Sequence, residues 1–190
     1  MWAFYPDRAV GSVAGEMECL REEKAFLSVS TIPIWQGDRP AEVTTEGPVE
    51  VSFDYQPYGR DPRCQYLIPL VGPRRTPKKG ETFQYLMSFR LPAVPFLHHE
   101  PGDRRMFSLT YEAGPERLES QLFLAIPSNS TDQNPTDLQP TAVLDFEGWT
   151  VYQYDTTLTS GRVAIHLGFV MGSPEEPAPT LPQVLARTLR

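Results

Sequence analysis

Twenty of the 190 residues are proline, and no other feature limits the fold as tightly. Proline has no amide hydrogen and clashes with the preceding turn of a helix; in a central strand it removes a ladder hydrogen bond. A chain this rich in proline must place it in turns, strand ends and tails, which favours many short strands over long helices. Hydrophobic residues at 40% supply a core, and charged residues at 22% are too few for a disordered chain. The length suits one domain.

Period-two alternation, which puts alternate side chains on one face of a strand, recurs along the chain. Val49, Val51, Phe53 and Tyr55 alternate with Glu50, Ser52, Asp54 and Gln56, between Gly47-Pro48 and Pro57 with Gly59. Tyr66 to Val71 reads as a strand ending at Gly72-Pro73, and Phe83, Tyr85, Met87 and Phe89 form another alternating run. Phe107 to Tyr111 and Ser120 to Ile126 read as a hairpin pair around Ala113-Gly114-Pro115. Trp149 to Tyr154, a turn at Thr159-Ser160-Gly161 and the almost wholly apolar Arg162 to Val170 complete the pattern. The last run, apolar on both faces, is expected to be the spine of the core. The fold class is therefore all-β, an antiparallel sandwich or jelly roll with a short C-terminal helix or extended tail.

Phe26 to Ile34 reads as an early strand, and residues 15–26 as one or two helical turns. Residues 92–105 and 127–141 read as long loops. A Pro-rich linker from Ser173 to Pro182 leads to a terminal helix in which Leu181, Val184, Leu185 and Leu189 fall on one side. The expected organisation is a β-sandwich over 1–172 and a linker with amphipathic tail over 173–190.

Two stretches, Gly47-Pro48-Val49-Glu50-Val51-Ser52-Phe53-Asp54-Tyr55 and Trp149 through Gly161 followed by Val163 to Phe169, carry a family likeness. Their order resembles galactose-binding-like jelly rolls, the fold of many carbohydrate-binding modules. The resemblance covers residues 26–170 in rhythm and those two stretches in detail. It implies a sandwich with a sugar-binding surface, but the closing strand of that pattern is replaced here by the Pro-rich tail, so no family site transfers residue by residue. Jelly rolls also build capsids and phage accessory proteins.

A net charge of −7, with 24 acids against 17 bases, argues against a general nucleic-acid coat. No apolar run is long enough to span a membrane, and no signal pattern opens the chain, so a cytoplasmic or virion-associated location is expected over a secreted one. The Asn129-Ser130-Thr131 triplet is then a chance glycosylation match in a polar loop. Cys19 and Cys64 leave a single bridge or two free thiols open. His98-His99-Glu100 is the only metal-like cluster, and His166 the only further histidine; four zinc ligands are not in view, so no metal or cofactor is expected. No nucleophile elbow, P-loop or Gly-rich dinucleotide loop occurs. A hydrolase would have to rest on paired carboxylates among acids such as Glu112, Glu116, Glu119, Asp145 and Glu147, whose simpler reading is as solvated turn residues.

Three surfaces are candidates for binding. The tail stripe of Leu181, Val184, Leu185 and Leu189 is expected either to fold back over a sheet edge or to dock on another subunit. Trp35, Trp149, Tyr152 and Tyr154, with Gln36, Asp38 and Gln153 close by in sequence, are candidates for a sugar platform. Arg74, Arg75, Lys78 and Lys79 make a basic turn able to hold an anion. These lead to three expectations: a non-catalytic structural or accessory subunit of a larger assembly, such as a virion, phage particle or multiprotein complex, with protein subunits or further copies of itself as partners; a carbohydrate-binding module; and a carboxylate-dependent hydrolase.

Overall fold

The computed structural model describes residues 1–29, 31–59, 62–92, 97–100, 104–113, 118–133, 139–158, 161–174 and 176–188, with side chains described outside 93–120, 132–138 and 156–167. The chain is all-β with one short C-terminal helix, and among the described residues no helix is long and apolar enough to cross a membrane. It forms two compact units: Met1–Ala9 with Phe96–Arg190, and Val10–Pro95. Strand β1 (Trp2–Phe4) belongs to the first unit, and β2 (Arg8–Glu18) carries the chain into the second.

The Val10–Pro95 unit contains β3 (Leu27–Ser28), β4 (Ile32–Trp35), β5 (Ala41–Glu46), β6 (Val49–Pro57), β7 (Cys64–Pro73) and β8 (Thr82–Pro92). One layer runs β2-β8-β5. In the other, β7 is flanked by β3 and β4 on one edge and by β6 on the other. The two layers meet where Phe53 and Phe89 pack edge to face, 5.9 Å apart. Strand β8 follows its sequence pattern: Phe83, Tyr85, Met87, Phe89 and Leu91 are buried. Pro69 and Pro73 lie opposite Phe53 and Val49, and the Arg74 N–H to Pro48 carbonyl bond shows that the even-numbered β6 residues form the hydrogen-bonded pairs. Toward β6 both prolines thus occupy non-hydrogen-bonded positions, while on the other edge Pro69 accepts the Val29 N–H at 3.1 Å and has no N–H to return.

No helix forms over 15–26. Residues up to Glu18 extend β2, and Cys19 continues the edge by donating to the Glu81 carbonyl at 2.9 Å. The mixed polar pattern offers a helix no apolar stripe to bury, whereas as a strand it buries Met17 and lets Gly15 pass beneath Tyr85. The early strand is split into β3 and β4. No disulfide joins Cys19 and Cys64.

The other unit contains β9 (Leu97–Glu100), β10 (Arg104–Ala113), β11 (Leu118–Pro127), β12 (Thr131–Gln133), β13 (Ala142–Phe146), β14 (Trp149–Leu158), β15 (Gly161–Val170) and α1 (Leu181–Thr188). One layer runs β13-β14-β11-β1, with β1 parallel to β11 through Trp2↔Leu124 and Ala3↔Ala125. The other is a four-stranded sheet, β12-β15-β10-β9. Phe4 and Phe169 join the layers at 6.0 Å.

The expected hairpin of 107–111 with 120–126 does not form. β10 pairs with β9 and with β15, from Arg104↔Val170 to Ala113↔Gly161, whereas β11 pairs with β14 and β1. Alternation marks a strand but does not name its partner. Strand β15 is interior to its sheet, as its apolar run suggests, but β11 has the same character: Leu122 to Ile126 are all buried. The two long loops are shorter than expected, since β9 with the start of β10 and β12 occupy parts of them. Thr159, Ser160 and residues 134–138 lie outside the described residues.

The segment after Ser173 packs with this unit. Pro179, Leu181 and Val184 are buried. The Tyr5 hydroxyl accepts from the Ala178 N–H at 3.0 Å, and the Arg187 guanidinium donates to the Asp145 carbonyl while stacking over the Phe146 ring at 4.8 Å. Pro182 stands in the first helical turn, as its fixed backbone angle favours.

Candidate ligand-binding face

The tail is not a free docking stripe. Leu181 and Val184 are enclosed by their own chain, Leu185 is half-buried, and Leu189 lies outside the described residues. Two buried anchors cannot also serve a second subunit, so the expectation of partner contacts through this stripe is corrected to the fold-back alternative. The asparagine and serine of the Asn129-Ser130-Thr131 triplet are engaged at the base of the tail: Asn129 Nδ2 donates to the Ser173 carbonyl and Ser130 Oγ accepts from the Gly172 N–H, both at 3.0 Å.

The four aromatics expected to make a sugar platform separate by burial. Trp149 and Tyr154 are fully buried and Tyr152 is nearly so, which leaves their rings no open face for a sugar. This corrects the platform assignment for those three residues. Alternation in β14 is no guide to exposure because the strand is covered on both faces: Val151 and Gln153 are buried as well. Trp35 is 41% exposed.

The basic turn is largely engaged in internal contacts. Arg74 donates through Nε to the Val49 carbonyl at 2.6 Å and through Nη2 to Thr45 Oγ1 at 3.2 Å. Arg75 forms a two-pronged ion pair with Glu81, whose carboxylate also accepts from the Lys78 N–H at 2.9 Å. The Arg75 hydrogen bond, aided by that backbone N–H, holds the Glu81 carboxyl below the usual range. Lys78 and Lys79 are exposed. His98, His99 and Glu100 lie on β9 and His166 on β15, with their side chains outside the description. Among the described residues no cluster of three His, Cys, Asp or Glu is placed to hold a metal.

What the fold brings together is the end of the β4-β7-β6 layer. Ile32, Ile34 and Leu67 define its buried face. Opposed residues in an antiparallel pair share a face and successive residues alternate. Trp35↔Cys64, Pro33↔Tyr66 and Gln56↔Tyr66 therefore put Trp35, Tyr66 and Gln56 on the opposite, outer face. Tyr58, just past the end of β6, leans on Tyr66 with ring centroids 4.8 Å apart and is 37% exposed. Trp35, Tyr66 and Tyr58 form an aromatic strip across three neighbouring chain segments.

Polar groups border the strip. Asp54 and Gln56 are exposed, and Gln56 Nε2 donates to Asp54 Oδ2 at 3.2 Å while the other carboxylate oxygen accepts the Tyr55 N–H at 2.9 Å. The Asp54–Gln56 pair is thereby held in one arrangement. After Trp35 the chain turns at Gly37, φ 100°, with Asp38 N–H donating to the Trp35 carbonyl at 3.1 Å. Partial burial raises the Asp38 carboxyl above its usual range, against the opposing pull of Arg39. The Arg39 guanidinium covers the Tyr55 ring at 4.3 Å. Wrapping around the sheet end is an open cleft of about 420 Å³ lined by Gln36, Tyr55, Gln56, Tyr58, Cys64 and Gln65. Gln65 is on the core side, and its buried Nε2 meets no acceptor among the described residues.

Of the residues marked in the sequence, Trp35 and Gln36 are in this site. Tyr58, Tyr66, Asp54, Gln56 and Gln65 were not marked. The available signal was the Tyr58–Gly59 turn after an alternating strand, but the register of β6 on β7 was needed to set these side chains beside Trp35. Comparisons of the chain with protein-family models, with curated proteins and with solved structures each returned no match.

Proposed function

We propose that this protein is a non-catalytic glycan-binding module whose binding surface is the outer face of the β4-β7-β6 layer. The observation that carries this reading is the outer-face strip of exposed Trp35 and Tyr58 with half-buried Tyr66, beside the Asp54–Gln56 pair. Aromatic rings offer apolar planes for the apolar faces of pyranose rings, and an adjacent carboxylate and carboxamide take up the hydroxyls. The adjoining open cleft, which shares Tyr58 and Gln56 with this surface, leaves room for a polymer to continue past the strip.

The test is a titration of soluble oligosaccharides followed by tryptophan fluorescence. Trp2 and Trp149 are buried, so a ligand-dependent change reports on Trp35, and Trp35→Phe is the control. Binding that is lost in Trp35→Ala and Tyr58→Ala with the fold intact supports the reading. No response across neutral and acidic panels removes it.

A second reading, as a structural subunit of a larger assembly, draws on a different observation. Leu20, Phe26 and Leu27 stand 72%, 43% and 47% exposed along the connection from β2 to β3. Exposed apolar groups this close along the chain are of the kind that protein contacts cover. Sedimentation of the native protein from its source distinguishes the two: a large particle lost in Leu20→Asp/Phe26→Asp supports assembly, and a free monomer rejects it.

A further inference from the structure

We infer that the ligand of this face is an uncharged oligosaccharide of at least two sugar rings, selected by the Asp54–Gln56 pair; this rests on the glycan-binding reading. The first part follows from the extent of the strip. Trp35 lies on β4, Tyr66 on β7 and Tyr58 at the end of β6, so the strip spans two inter-strand spacings, about 10 Å. A single pyranose covers only part of that width, and the contacts multiply as further rings reach the next aromatic. Affinity therefore depends on chain length.

The second part follows from the chemistry beside the strip. Ionised Asp54 only accepts hydrogen bonds. One of its oxygens takes the Tyr55 N–H and the other takes Gln56 Nε2. Each carboxylate oxygen has a second lone pair, and Gln56 keeps its own Oε1 and a second N–H. The pair thus presents mostly acceptors with one donor. Sugar hydroxyls both donate and accept and can satisfy this set. A proline-rich peptide, which offers chiefly carbonyl acceptors, cannot, although it too favours aromatic grooves. A uronate brings its own carboxylate against Asp54, and like charges at this range repel.

The experiment measures Kd for the full chain by calorimetry and by Trp35 fluorescence. The probes are glucose, mannose, maltohexaose, cellohexaose, mannohexaose, hexagalacturonate and a proline decamer. The expected result is binding of at least one neutral hexaose, about tenfold or more tighter than its monosaccharide, with little binding of hexagalacturonate. Asp54→Asn, which keeps the shape and removes the charge, is expected to improve hexagalacturonate binding several-fold while the neutral hexaose changes less. Gln56→Leu is expected to weaken the neutral hexaose about tenfold.

If a sugar binds but monosaccharide and hexaose are equal, or if hexagalacturonate binds tighter to the wild type, the inference fails and the glycan-binding reading stands. Equal binding of hexagalacturonate by wild type and Asp54→Asn overturns the role of Asp54. If only the proline decamer binds, or no probe does, both fall. Circular dichroism of each variant separates a lost contact from a lost fold.

Discussion

The indole N–H of Trp149 donates to the main-chain carbonyl of Glu176 at 2.8 Å, so one of the most deeply buried side chains satisfies its only polar atom on the C-terminal tail. Tyr5 packs against the same indole edge to face at 5.1 Å and reaches Ala178 with its hydroxyl. The tail is thereby part of the core it covers. Removing residues 174–190 takes the acceptor from a buried donor and uncovers apolar surface. Val184→Ala, the mildest form of that change, is expected to lower stability by about 2 kcal/mol. Chemical denaturation measures this, and an unchanged midpoint would refute the packing role of the helix.

Helix α1 is only 8 residues long and needs its cap. Gln183 Oε1 accepts from the Thr180 backbone N–H at 2.7 Å and from its hydroxyl at 2.9 Å, the reach-back half of a capping box. Gln183→Ala is expected to cost about 1 kcal/mol and to speed amide exchange in α1 selectively. Gln183→Glu, which preserves the acceptor, should restore most of it.

Gly15 lies beneath the Tyr85 ring: a Cβ built on it would sit 2.6 Å from Tyr85 Oη and 2.8 Å from Cζ. Gly15→Ala is expected to displace the ring and cost about 1–3 kcal/mol. Tyr85→Ala has its own penalty, but in its presence Gly15→Ala should become nearly neutral. A double-mutant cycle with no coupling would show that the two do not touch in solution.

The Glu81 carboxyl, held low by Arg75, links stability to pH. A lowered folded-state pKa means that the unfolded chain binds more protons in the window between the two values. The contribution is fully present above the ordinary glutamate pKa and disappears as pH falls through the folded one. Glu81→Gln is expected to flatten this part of the acid limb in a series of denaturation curves from neutral to acid pH. An acid limb of unchanged steepness would mean that the ion pair is not maintained in solution.

The strands were readable wherever one face is wet. β6 and β8 alternate in sequence and in burial alike, because a half-buried strand must separate its apolar and polar residues. The same logic fails for β11 and β14. Each is covered on both faces, so Trp149, Tyr152 and Tyr154 carry no mark that distinguishes core from surface aromatics. The tail stripe was visible as an amphipathic helix, but its destination was not, since an apolar face states only that it must be covered.

The sequence by itself determined the fold class, the extent of the half-buried strands and the position of the terminal helix. These depend on proline placement, periodicity and capping, which act within a few residues along the chain. Only the tertiary structure decided that β10 joins β15 and β11 joins β14, that α1 returns to its own unit, and that Trp35 meets Tyr58, Tyr66 and Gln56 at one sheet end. Strand pairing and register are choices among partners that all satisfy the same alternation. They are settled by which arrangement packs Phe53 on Phe89 and Phe4 on Phe169 while leaving few polar groups unpaired.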